Sequence, residues 1–221
     1  MKVLVICDDI WHPGEVIARG LKPLEEKGYE LDIVMAAKDI LTKDMLYNYE
    51  VIINAKGNAH SPANAKSPWF EDGVTAVMPE DFREYIEEGH GFIALHSGNT
   101  YHPETRKDMV DLIGNSFIRH PKQCPITAYA VKDHPIISGI EPFTFRDEHY
   151  MIQLYNEEEL DIFMETKSDT EAGVQPAGYT KQVGKGRLVV LTPGHNCAVL
   201  LHPSYQKILA NAIEYAAGKL G

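Results

Sequence analysis

The chain has only three cysteines in 221 residues, Cys7, Cys124 and Cys197, far apart and without a CxxC pair. A number so small and odd argues against a disulfide framework and fits a reducing cytoplasm, the expected location. No apolar run approaches the roughly 18 residues of a membrane-spanning helix, so a membrane is not an expected partner. Residues 1–7 are apolar but stop at Asp8-Asp9, without the long apolar core or small-residue cleavage site of a signal peptide, and read as a first strand. Basic residues are scarce: 21 Lys and Arg against 32 Asp and Glu leave a net charge of −11. Such a surface repels phosphate backbones and anionic lipid, and no Lys/Arg run offsets it, so nucleic acid is not expected either. Repeats, linkers and low-complexity tracts are missing, and with 44% hydrophobic residues the chain reads as one domain over 1–221.

What is present alternates. Residues 2–7 are Val/Ile-rich, followed by an Asp/His/Pro/Gly turn and a helical stretch over 14–27 that Gly28 stops. Strands are expected at 31–35 and 51–55 with a short helix over 39–47 between them. A loop rich in Asn, Pro, Ser and Gly runs from Lys56 to about Met78, and its length suggests a lid or an interface. Pro79 opens an acidic-headed helix to Glu88, and 91–95 is apolar on both faces, as in a buried parallel strand. This alternation predicts an α/β fold with a doubly wound, mostly parallel sheet. The second half is strand-rich, with strands expected at 125–131, 143–153, 160–165 and 177–183, several of them antiparallel. Residues 186–191 then return to the central sheet. Pro203 opens a terminal amphipathic helix that turns Ile208, Ala212, Ile213 and Ala216 to the core.

Ligands of an open parallel sheet bind beyond the carboxyl ends of its strands. Of ten histidines, His12 follows the first strand, His60 the third, His96 comes directly after 91–95, and His195 follows 186–191. These four are expected to converge. Five histidines precede proline, which enforces extended geometry and suits helix starts. His102, His134 and His202 read as such punctuation, whereas His12 and His120 are retained as binding residues. Ala94-Leu95-His96-Ser97-Gly98, a strand turning abruptly into small residues, is similar to the nucleophile elbow of hydrolases. Its central residue is His96, and Ser97 stands one position late for a nucleophile. Histidine at such a tip suits metal ligation or proton transfer near neutral pH.

Asp147-Glu148-His149-Tyr150 sets carboxylates within an otherwise apolar-alternating strand, where alternation sends Glu148 and Tyr150 to one face and Asp147 and His149 to the other. With Glu148 facing His96, the set His96, Glu148 and His195 makes either an acid/base group or a divalent-metal site. Zinc is favoured by imidazole-plus-carboxylate ligation. Asp147 can instead pair with Arg146 or Arg119. Trp11 and Trp69 are placed in loops at the pocket edge, where an indole stacks on a sugar ring or makes an apolar lid contact. Cys197, two residues after His195, reads as a packed thiol rather than a nucleophile. Trp11, His12, Asn58, Ser97, His120 and Asn196 form the expected substrate-binding set.

Several ordered motifs then resemble the ThuA-like family. They are Ala94-Leu95-His96-Ser97-Gly98, Phe117-Ile118-Arg119-His120-Pro121, Asp133-His134-Pro135-Ile136 and Phe145-Arg146-Asp147-Glu148-His149-Tyr150. Val190-Leu191-Thr192-Pro193-Gly194-His195 and the terminal Ala212-Ile213-Glu214-Tyr215-Ala216-Ala217-Gly218 complete the set. The resemblance implies the flavodoxin-like sheet of the class I glutamine amidotransferase superfamily, with His96 where an amidotransferase carries its nucleophilic Cys. Glutamine hydrolysis through a thioester is therefore not expected. Trp11-His12 only roughly matches the aromatic-His pair that opens larger members. Residues and resemblance together predict an enzyme of carbohydrate (trehalose-type) utilisation, a hydrolase or isomerase acting on a small polyhydroxylated sugar derivative. No nucleotide cofactor is expected, and a homo-oligomer is left open. The alternatives are a non-catalytic sugar- or metal-binding protein using the same pocket, or a subunit whose role is assembly.

Overall fold

The computed structural model describes residues 1–35, 37–58 and 68–221; His60, with the rest of 59–67 from the expected lid loop, lies outside the described residues. Five strands form the parallel half of the main sheet: β1 (Lys2–Ile6), β2 (Glu30–Val34), β3 (Val51–Asn54), β4 (Gly91–Leu95) and β11 (Gly186–Leu191), in the order β2-β1-β3-β4-β11. Their Val/Ile-rich sequences serve two cores at once. Val3, Val5 and Cys7 pack with Ile17 and Leu21 of α1 (Gly14–Leu21) and with Ile208 and Ile213 of the terminal helix. Leu4 and Ile6 point the other way, to Phe82 and Ile86 of α2 (Pro79–Glu87) and Met109 of α3 (Pro103–Ile113). Each fully buried Val, Leu or Ile contributes roughly 1.5–3 kcal/mol by leaving water, which is why strands apolar on both faces settle in the centre. The terminal helix, α4 (Pro203–Ala216), carries the four predicted core residues on its buried face.

Beyond β11 the sheet continues antiparallel through β10 (Val174–Val183), β9 (Leu160–Lys167), β6 (Cys124–Ala130) and β7 (Phe143–Asp147). A separate pair joins β5 (Asn115–Arg119) to β8 (Met151–Leu154). The architecture is thus the predicted flavodoxin-like α/β fold, with an antiparallel extension in the second half of the chain. The extension curls back, so that the end of β7 hydrogen-bonds to the loop after β11.

Several boundaries differ from the sequence reading, each for a local reason. The helix expected over 14–27 changes at Lys22 to a 3-10 helix, Lys22–Lys27, because Pro23 has no N–H to continue the α ladder. The helix expected over 39–47 is two short turns, Ala37–Ile40 and Lys43–Leu46. The single strand expected over 143–153 is broken at 148–150: β7 ends at Asp147 and β8 pairs with β5, away from the main sheet. The extent of α3, of which only the start at His102-Pro103 was expected, and the strand β5 were not among the expected elements. Trp69 is not at the pocket edge; it is 1% exposed and stacked on Phe70 at 4.2 Å.

Candidate metal centre and cleft

At the carboxyl edge of the parallel half lies a cleft of about 1050 Å3, walled by Trp11, Phe70, Phe117 and Tyr150 and lined with polar groups including Asn58, His120, Glu148 and His195. The loop after β1 supplies Trp11 and His12, the chain after β3 supplies Asn58, and the loop after β11 supplies His195. The segment between β7 and β8 brings Glu148 and Tyr150. His96, 1% exposed, lies beneath them directly after β4.

The turn at His96 is tight in the manner of a nucleophile elbow. His96 has φ +44°, in the left-handed region that costs an ordinary residue roughly 1–2 kcal/mol. Gly98 is required two residues on, since a Cβ there would fall 2.0 Å from the Asn54 carbonyl oxygen. Gly194, with φ +145°, lets the loop after β11 approach the same point: a Cβ there would meet that of His96 at 3.0 Å. Asp8, with φ +76°, makes a comparable turn after β1. Three loops thereby lean their side chains over one spot.

The hydrogen bonds around the imidazoles set their tautomers. His96 Nδ1 lies 2.8 Å from the Thr192 carbonyl, His120 Nδ1 2.8 Å from the Pro121 carbonyl, and His12 Nδ1 2.7 Å from Asp9 Oδ1. Carbonyls and carboxylates only accept, so each Nδ1 carries a proton, and in the neutral ring each Nε2 is left as the acceptor. All three Nε2 atoms face Glu148 Oε2, at 3.6 Å for His96, 3.5 Å for His120 and 4.0 Å for His12. His195 Nδ1 is 3.1 Å from the same oxygen yet is a buried atom without an aligned hydrogen bond. The donor within reach of His96 and His12 is the Tyr150 hydroxyl, 3.0 Å from the first Nε2 and 3.3 Å from the second. One O–H cannot satisfy two lone pairs. The centre is therefore a convergence of acceptors, and electrostatics favours a cation among them.

Protonation follows the same field. Burial lowers the His96 imidazole below its ordinary range, whereas the Glu148 carboxylate raises that of His195. Burial alone would push the Glu148 carboxyl up, but His195 and His96 outweigh it and hold it well below the usual carboxylate range. Tyr150, raised by burial and then by Glu148, stays a phenol. His12, His96, Glu148 and His195 each present one ligand atom, all within 4.8 Å of one another, and can hold a metal ion.

Of the substrate-binding residues expected from sequence, Trp11, His12, Asn58 and His120 line the cleft. Ser97 and Asn196 do not. Ser97 is fully buried and its Oγ donates to the Ala55 carbonyl at 2.7 Å, closing the elbow. Asn196 caps the short helix Cys197–Leu200 through Ala198 and Val199, and donates to the Arg146 carbonyl. Asp147 pairs with neither Arg146 nor Arg119. Fully buried, it accepts the backbone N–H groups of Gly194 (2.7 Å) and His195 (3.1 Å), while burial pushes its carboxyl up. Cys197 packs with its thiol toward the Val16 carbonyl. His102 and His202 flank helix starts as expected, whereas His134 opens a turn instead and stacks on Phe163. Sequence reasoning missed Tyr150 and Asp9 as site residues. The signals were there: the alternation expected over 143–153 puts Tyr150 on the same face as Glu148, and Asp9 stands three residues before His12.

Fold and site together define a flavodoxin-like α/β protein with a histidine in the tight turn after β4 and a His/Glu cluster above it. The family model for ThuA, described as trehalose utilisation, matches residues 2–216, and the chain belongs to this family. A ThuA-like protein from Parabacteroides merdae superposes with a TM-score of 0.76 at 19% identity, over 100% of this chain and 91% of that one. A cytoplasmic protein from Salmonella typhimurium LT2 superposes at 0.70 and 13% identity, over 98% and 99%. A glutamine amidotransferase from Thermotoga maritima does so at 0.62 and 13% identity, over 98% of each chain. At such identities the likeness is one of fold. No curated protein matches the sequence. Among the described residues no helix is long and apolar enough to cross a membrane.

Proposed function

We propose that this protein is a metal-dependent enzyme of carbohydrate utilisation. Its substrate is a small polyhydroxylated sugar derivative, which it hydrolyses or isomerises in the cytoplasm without a nucleotide cofactor. The observation that carries the reading is the donor set: His12, His96, Glu148 and His195 each present one ligand atom, all within 4.8 Å of one another, and the Tyr150 hydroxyl is shared between the Nε2 atoms of His12 and His96. His96, His195 and Glu148 would hold a divalent ion with His12 as a fourth donor, and imidazole plus carboxylate suits zinc. When bound, such an ion supplies polarisation of a carbonyl or activation of water. The rest is work for the chain's own groups. Tyr150 keeps its proton and offers it at the cleft floor, and His120 Nε2 accepts near the mouth. Trp11, 69% exposed at the rim, presents an indole face of the kind that stacks on a pyranose ring. Thioester chemistry on glutamine has no thiol at the elbow to run it.

The test is the metal content of tag-free protein by elemental mass spectrometry, repeated on His96→Ala and His195→Ala. Near-stoichiometric metal, lost in both variants, is expected. A protein that neither contains metal nor takes up added zinc or manganese overturns the reading.

A further inference from the structure

Asp9 lies outside the donor set yet is a buried, heavily hydrogen-bonded carboxylate beside it. It is 1% exposed, and its Oδ1 accepts from His12 Nδ1 at 2.7 Å and from the backbone N–H groups of Trp11 and His12 at 2.9 and 3.0 Å. Its Oδ2 accepts the Gly57 N–H at 3.2 Å, tying the loop after β1 to the chain after β3. Burying a charge this thoroughly is expensive unless it is paired and hydrogen-bonded, and a backbone carbonyl serves behind His96 and His120 instead. Among the site histidines with an anchored Nδ1, His12 alone has an ionised acceptor behind it. A carboxylate in that position fixes ring orientation and tautomer and makes the opposite nitrogen a stronger donor to a metal.

We propose that Asp9 is the positioning residue of the metal centre: through the His12 imidazole it aims and strengthens Nε2 as the fourth donor. This inference rests on the metal reading above. Asp9→Asn removes the charge while an amide oxygen can still accept the Oδ1 set of bonds; it also loses the Oδ2 acceptor of the Gly57 N–H, an effect that does not pass through His12 and that the His12→Ala background therefore separates. The probe is zinc ion alone, titrated against a competing chelator into wild type, Asp9→Asn, His12→Ala and the double variant. Zinc affinity is expected to fall about 10–100-fold in Asp9→Asn. In the His12→Ala background the same change should move it by less than about twofold, since coupling vanishes when the intermediary is gone. Asp9→Asn binding like wild type, or an equal loss with and without His12, overturns the proposal. A wild type that binds no zinc sinks the metal reading itself.

A second measurement needs no variant that must fold. In wild-type protein with 15N-histidine and 113Cd, one-bond coupling to Nε2 of His12 with the proton on Nδ1 is expected. Coupling to His96 and His195 but not to His12, or to His12 through Nδ1, refutes the role of Asp9 while sparing the metal reading.

Discussion

Replacing Glu148 by Gln keeps the volume of the side chain and removes its charge, at the point four imidazoles face. In wild type, zinc at 100 times its dissociation constant stabilises the folded chain by about 2.7 kcal/mol through mass action. For a domain of this size, roughly 2–4 °C per kcal/mol turns that into a rise of about 5–11 °C in melting temperature. An outer partner of a metal ligand is worth about 10–100-fold in affinity, so loss of a direct anionic donor is worth at least about 100-fold. At the same zinc concentration the gain in Glu148→Gln then shrinks to about 0.4 kcal/mol, a shift of less than about 2 °C. Differential scanning fluorimetry with and without zinc, in chelator-treated protein, reads both numbers. A zinc-induced rise in Glu148→Gln as large as in wild type would refute the assignment of the centre.

Three further outcomes are expected. Burial lowers the imidazoles of His96, His134 and His149 relative to the unfolded chain, so their contribution is present above about pH 6.5 and lost as pH falls below it. His195, raised beside Glu148, runs the other way, losing its contribution as pH rises through its folded value. With three lowered imidazoles against His195 and the Asp147 carboxyl, which burial raises and which likewise favours the fold as pH falls, the melting temperature of the metal-free protein should fall between about pH 7.5 and about pH 5.5, and a flat or rising profile contradicts the sign. Gly98→Ala drives a Cβ to 2.0 Å from the Asn54 oxygen, an overpacking of about 1–3 kcal/mol that should lower both melting temperature and zinc uptake; an unchanged melt would show that the elbow has room. Trp11→Ala should alter stability by less than about 0.5 kcal/mol while removing the acrylamide-quenchable part of the emission, leaving shielded Trp69; persistent quenching would place Trp69 at the surface.

The parallel strands were legible because burial on both faces leaves a continuous Val/Ile signature. The histidines at their ends were legible because such a sheet has only one edge where ligands collect. The break at 148–150 was hidden: Phe143 and Phe145 alternate smoothly into the apolar pair Met151 and Ile152, and nothing local says that the chain changes partner from β6 to β5. Ser97 and Asn196 look the same in sequence whether they hold a substrate or a backbone group, and only the distances to Ala55 and Ala198 decide it. Trp69 was misplaced because the stacking partners that bury an aromatic residue within a loop are not marked by any spacing. Asp9 acts through one atom of a neighbour, a relation that composition and periodicity do not record.

The four donors come from chain segments far apart, and the last of them, His195, follows the final strand of the sheet. During synthesis the first donors emerge long before β11 exists, so a nascent chain offers isolated histidines and no chelating pocket. Glu148 is delivered by the antiparallel extension, so a chain reduced to the parallel half would have the histidines and no carboxylate between them. Any ion held at this spot ties the loop after β1 to the loop after β11 and to the segment after β7, so it can be held only once the parallel half and the antiparallel extension have docked together.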